Sequence, residues 1–135
     1  MPLEFLADRS LGKRVVTSLR EAGLTIHTLA DVFGEADSQL VEDTNWIAYA
    51  GSHHWACLTK DRRIRHVTIE RDCVVDHGVK LFALANANLS FAEMIAEFLA
   101  ARHRMADLCA DENSGGQIWV VQRDGRLELV WPQYD

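Results

Sequence analysis

Short apolar runs that each close on a polar side chain constrain this chain most. Phe5-Leu6-Ala7 runs into Asp8, and Trp55-Ala56-Cys57-Leu58-Thr59 runs into Lys60-Asp61. Val79-Lys80-Leu81-Phe82-Ala83-Leu84 is followed by Asn86 and Asn88. The runs are too short for core helices and too apolar to leave one face in water, so they read as buried strands. Between them the apolar period changes. Leu11, Val15, Val16 and Leu19 recur at helical spacing after Ser10, which can cap that helix, and Gly23 stands where a left-handed C-terminal residue is wanted. Leu24–Leu29 then reads as a further strand. Strand and helix in alternation predict an α/β fold with a mostly parallel central sheet flanked by helices.

The rest of the chain fits that frame. Asp31 to Asp37 reads as a polar loop, with Ser38 capping the helix that follows. Leu40, Val41, Thr44, Ile47, Ala48 and Gly51 fall on one stripe of that helix at roughly 100° per residue. Thr68–Val75 predicts a helix ending at Gly78. Ser90-Phe91-Ala92-Glu93 is a capping box. It opens a helix with Phe91, Met94, Ile95, Phe98, Met105, Ala106 and Cys109 on one stripe, interrupted by Arg102. After a polar break at 111–116, Ile118–Val121 and Leu127–Trp131 flank Asp124-Gly125, a favoured two-residue turn. Residues 1–135 are therefore expected to form a single domain, in which 111–135 is a C-terminal β-hairpin extension.

Composition narrows the class. At 135 residues the chain has the length of one domain. No apolar run approaches the roughly 18 residues that span a bilayer. The N-terminus lacks a signal peptide's basic start and apolar stretch. Three cysteines, Cys57, Cys73 and Cys109, are odd in number and without a C-x-x-C pair, which argues against a disulfide framework or zinc knuckle. These features predict a cytoplasmic protein without membrane contact. A net charge of −6 excludes a generally basic nucleic-acid binder. It leaves room for local basic patches at Lys13-Arg14, at 60–66 and at 102–104 that could steer a polyanion.

Asp8 and Asp61 share the carboxyl edge of the sheet if their strands are parallel, which is where open α/β sheets bind ligands. Asp43 lies at the edge of its helix's apolar stripe and can lean over the sheet. Glu42 points nearly opposite, so it is a fallback. Clustered carboxylates attract hard divalent cations such as Mg²⁺ or Mn²⁺. Such an ion can activate water and stabilise charge on a phosphodiester. The plainer reading of any one Asp is a cap or turn residue after a strand.

The stretch Asp43-x-x-Trp46-Ile47-Ala48-x-Ala50 followed by Leu58-Thr59-x-Asp61 resembles the PIN-like domain family, as does the opening Phe5-Leu6-Ala7-Asp8. The spacing from Asp8 to Asp43 is similar to that of compact PIN-like ribonucleases, including toxins of the VapC type. The resemblance implies a metal-dependent endoribonuclease in which Asp8, Asp43 and Asp61 hold Mg²⁺ or Mn²⁺ and serve catalysis. It further implies RNA as substrate, the toxin role in a type II toxin–antitoxin pair, a cognate antitoxin protein as partner, and a possible homodimer. The sequence departs from the family pattern in three places. The helical insertion with the usual mid-chain Glu is missing. Residue 9 is Arg, where compact relatives often carry a second acid. The C-terminal hairpin is an addition.

Secondary candidates have structural readings of equal or greater weight. Thr59 could orient water or phosphate, or simply favour a strand. Lys13, Arg62 and Arg65 could meet RNA phosphate, or be solvated surface. Asn86 and Asn88 could complete the site or form a turn. His53 and His54, adjacent in the chain, point apart and cannot easily share an ion. Arg102 could meet a partner, form a salt bridge near the site, or snorkel. Trp119 and Trp131 could stack bases, but packing is the plainer role. Two other functions fit the residues: a non-catalytic PIN-like module that binds RNA or a partner, and a phosphotransfer or phosphatase domain with Asp8 as nucleophile.

Overall fold

The computed structural model describes residues 3–86 and 88–133, with all side chains in those ranges except Arg62, Arg65 and Glu112. Six strands form one sheet: β1 (Glu4–Ala7), β2 (Thr25–Thr28), β3 (Ala56–Thr59), β4 (Lys80–Leu84), β5 (Gln117–Val121) and β6 (Leu127–Trp131). Their order is β2-β1-β3-β4-β5-β6, with every pairing parallel except β5 with β6. The hairpin thus widens the sheet as its last two strands.

Alternation along the strands builds a core on each face. Phe5, Ala7, Leu58, Phe82 and Leu84 pack with Val15 and Leu19 of α1 (Gly12–Glu21) and with Phe98 and Met105 of α5 (Phe91–Ala110). Leu6, Cys57, Leu81 and Ala83 point the other way. They meet Trp46 and Ile47 of α3 (Asp43–Ser52) and Val74 of α4 (Thr68–Asp76). Both faces are covered over the central strands β3 and β4, which are buried along their whole length.

Several local expectations are corrected. The segment 31–37 is not simply a loop: α2 (Leu29–Phe33) is closed by a capping box between Thr28 and Asp31. Ser38 does not cap α3. It is buried in a 3-10 turn at Asp37–Gln39, and α3 begins at Asp43. The later start shifts the buried face to Trp46, Ile47 and Ala50 and leaves Leu40 81% exposed. Ser10 does not cap α1, whose N-cap is Leu11 without a side-chain bond. On α5 the buried stripe is Met94, Glu97, Phe98, Ala101 and Met105, while Phe91 and Ala106 are exposed. The capping box at Ser90 and Glu93 is present.

The hairpin loop has three residues, not two. The Gln122 amide donates to Arg126 O at 2.8 Å, and the Gly125 amide donates to Gln122 O at 2.9 Å. Gly125 takes φ +81°, the left-handed position of this loop class. A Cβ there would lie 2.6 Å from the Ala100 backbone, so glycine also lets the loop close on α5. Arg102 donates to Ala22 O at 3.1 Å, satisfying a carbonyl just beyond α1. Trp119 packs against the core, and Trp131 lies under the Arg71 guanidinium at 4.0 Å.

Candidate active site

Asp8 leaves β1 at the carboxyl edge, its amide donating to Leu58 O at 3.2 Å so that β1 stays docked on β3. Its carboxylate is 7% exposed and held at both oxygens. Oδ1 accepts from the Ser10 amide at 3.1 Å and, in a short contact, from the Ser10 hydroxyl. Oδ2 accepts from Thr59 Oγ1 at 2.6 Å. Burial pushes the Asp8 pKa up to about 6, against the pull of these bonds, and the nearby charge of Asp43 adds to the rise.

Thr59, fully buried, joins the two strand-end acids. It donates to Asp8 and accepts from the Asp61 amide at 2.9 Å. Ser10 Oγ lies 3.2 Å from Thr59 Oγ1 and accepts from the Lys60 amide at 3.1 Å. Asp8, Ser10, Thr59 and Asp61 are therefore one hydrogen-bonded edge built across β1 and β3.

Asp43 opens α3, with its Oδ1 accepting from the indole N–H of buried Trp46 at 2.8 Å. That bond fixes the carboxylate and satisfies the polar atom of the largest core side chain. Glu70, in the first turn of α4, lines the same cavity as Asp43. Partial burial raises the Glu70 pKa to about 7, helped by the nearby Asp43 carboxyl and by the charge of Asp61. Asp61 is held low by Arg63, whose Nε and Nη2 grip the two carboxylate oxygens at 3.0 Å each. Asp43, Asp61, Glu70, Arg63 and Val67 line one cavity of ≈ 200 Å³. A neighbouring cleft of ≈ 410 Å³ takes in Arg9, Leu40, Glu42, Asp43, Ile69 and Glu70.

The structure brings Asp43 and Asp61 to one cavity, while Asp8 lines neither that cavity nor the larger cleft and is within electrostatic reach of Asp43. Glu42 is exposed at the rim of the larger cleft. Lys13 is exposed and 3.9 Å from Glu35. The side chains of Arg62 and Arg65 lie outside the described residues. Of the turn asparagines, Asn86 Oδ1 accepts from the Asn88 amide at 2.8 Å. His53 stacks on Tyr49 at 4.1 Å.

Glu70 and Ser10 escaped the sequence reading. Ser10 stands two residues after Asp8, a spacing open to local hydrogen bonding. Glu70 carried no signal beyond its place in a helical first turn. Among the described residues, no three His, Cys, Asp or Glu side chains stand as a ready-made metal cage. The donor chemistry nevertheless fits a hard cation: the carboxyl groups of Asp43, Asp61 and Glu70 line one cavity.

This edge of carboxylates on a parallel sheet defines a class. A family model described as PIN like domain matches residues 3–86, and the chain belongs to that family. The match takes in Asp8, Asp43, Asp61 and Glu70 and stops before α5 and the hairpin. The chain is also 36% identical over 95 residues to a Mycobacterium tuberculosis protein named "Putative ribonuclease VapC45", covering 70% of this chain and 69% of that one. No solved structure matches. Among the described residues no helix is long and apolar enough to cross a membrane.

Proposed function

We propose that this protein is a metal-dependent endoribonuclease of the VapC type, the toxin of a toxin–antitoxin pair, with Asp8, Asp43 and Asp61 as ligands for Mg²⁺ or Mn²⁺. The observation that carries the reading is Thr59. Buried and without exposure, it ties Asp8 to the backbone of Asp61 beside the cavity that Asp43 lines. That buried hydroxyl holds the Asp8 carboxylate and, through the residue 61 amide, fixes the path of the chain at the point where Asp61 leaves the sheet. The relative's name, which specifies a ribonuclease, supports the same activity.

In the reaction, a water oxygen adds to phosphorus, the ester P–O bond breaks, and the leaving ribose oxygen takes a proton. A divalent cation, when bound, supplies a water of lowered pKa and neutralises charge on the phosphodiester. The chain's own residues organise the rest. Ser10 and Thr59 hold both Asp8 oxygens, leaving the carboxylate little rotational freedom. Trp46 does the same for Asp43. Arg63 keeps Asp61 ionised and carries positive charge to the mouth of the cavity. Glu70 adds a fourth acid beside Asp43, on the helix that follows Asp61. The RNA substrate, a cognate antitoxin and a homodimer belong to the same reading.

The test is RNA cleavage with Mg²⁺ or Mn²⁺ by the parent, Asp8→Asn, Asp43→Asn and Asp61→Asn. Cleavage by the parent, lost in all three variants, is expected. Equal cleavage by all four proteins sinks the reading.

A further inference from the structure

We propose that Arg9 is a substrate-binding residue that grips a phosphate of the RNA at the larger cleft, an inference that rests on the nuclease reading above. Arg9 is exposed, yet its guanidinium is not free to wander. Nε and Nη2 donate to Ser38 O at 3.2 and 3.0 Å, and Nη2 also donates to Val41 O at 2.6 Å. These bonds lock it onto the segment that leads into Asp43. A guanidinium has five N–H donors in a planar fork, and the two on Nη1 belong to neither of these carbonyl contacts.

The cleft explains why a fixed cation belongs there. Its other charged lining residues, Glu42, Asp43 and Glu70, are all acidic. A polyanion approaching them meets repulsion that one immobile positive group would offset at the point of contact. An arginine fork suits a phosphate better than an ammonium does, and a pre-positioned one loses little freedom on binding. Among the described residues, two other cations near the site are placed differently. Arg63 is engaged with both oxygens of Asp61. Lys13 is exposed and only loosely near Glu35 at 3.9 Å. The cleft also takes in Asp43 and Glu70, so a phosphate held there lies beside those two acids. Arginine at position 9, a departure from the family pattern, thereby gains a use.

The experiment measures binding of a short mixed-sequence single-stranded RNA, in millimolar Mg²⁺ across a salt series. It compares the full-length Asp8→Asn protein with the same protein also carrying Arg9→Gln or Arg9→Lys. Loss of one phosphate contact is expected to weaken binding about tenfold in Arg9→Gln. It should also flatten the slope of log affinity against log salt by about 1. Arg9→Lys, which keeps the charge without the fork, should restore most of the slope. It also serves as the readout if Arg9→Gln does not fold. An unchanged slope in folded Arg9→Gln overturns the proposal even if melting temperature falls, because Arg9 is then only a brace for residues 38–41. A folded Arg9→Lys protein that binds as tightly as the Asp8→Asn protein at every salt concentration overturns it as well, because the fork then contributes nothing to binding. The nuclease reading fails by a different result, equal cleavage by the parent, Asp8→Asn, Asp43→Asn and Asp61→Asn.

Discussion

Asp8→Asn should stabilise the metal-free protein at neutral pH while abolishing cleavage. A carboxyl whose folded pKa lies above its unfolded value costs stability as it ionises. For Asp8, full stability is present below about 3.8 and is lost as pH rises through about 6. At about 1.4 kcal/mol per pH unit, that gap is worth about 3 kcal/mol once the group is ionised. Asparagine removes the charge but turns an N–H₂ toward either Ser10 or Thr59, a loss of about 1–2 kcal/mol. The variant should therefore gain about 1–2 kcal/mol at pH 7.5 and be roughly level with the parent, or slightly less stable, at pH 4.5. A domain of this length shifts by about 3–4 °C per kcal/mol, so the difference in melting temperature should swing by about 6–8 °C between those pH values. Scanning fluorimetry of both proteins in chelator, from pH 4.5 to 7.5, reads this directly. A difference that stays constant with pH, or one that favours the parent more as pH rises, refutes the account of Asp8 as a buried charge held at a cost.

Other perturbations have defined outcomes. Thr59→Val keeps shape but strips Asp8 of one donor and the Asp61 amide of its acceptor; urea unfolding should show a loss of about 1–3 kcal/mol, and RNA cleavage should collapse. Glu70→Gln removes an acid that shares a cavity with Asp43; in chelator its melting temperature should exceed the parent's above pH 7 and approach it below about pH 4.5, the direction set by a pKa raised from 4.5 to about 7. Gly125→Ala forces a Cβ to within 2.6 Å of the Ala100 backbone at a positive φ; chemical denaturation should register a loss of about 2–4 kcal/mol.

Local signals carried much of the sheet and two of the three proposed ligands. Phe5–Ala7 and Trp55–Thr59 are apolar runs whose burial on both faces follows from the period itself, so Asp8 and Asp61 fall at strand ends without further information. The capping box at Ser90 is equally local, because its two partners lie within one turn. α3 was placed less well. Its start at Asp43 follows from Trp46 being drawn into the core beneath the sheet and from the 3-10 turn at 37–39, and no window of ten residues contains that competition.

What the sequence alone determined is the set of groups bonded to or near their neighbours in the chain: strand, cap, turn and the acid that follows a strand. The pairing of distant groups was decided by tertiary structure. Thr59 meets Asp8 because β1 and β3 are adjacent, 51 residues apart in the chain. Arg9 meets Ser38 and Val41 across 29 and 32 residues. Glu70 reaches Asp43 only because α4 packs against α3. Such contacts are chosen by which surfaces bury together, a property of the whole core that local propensity does not encode.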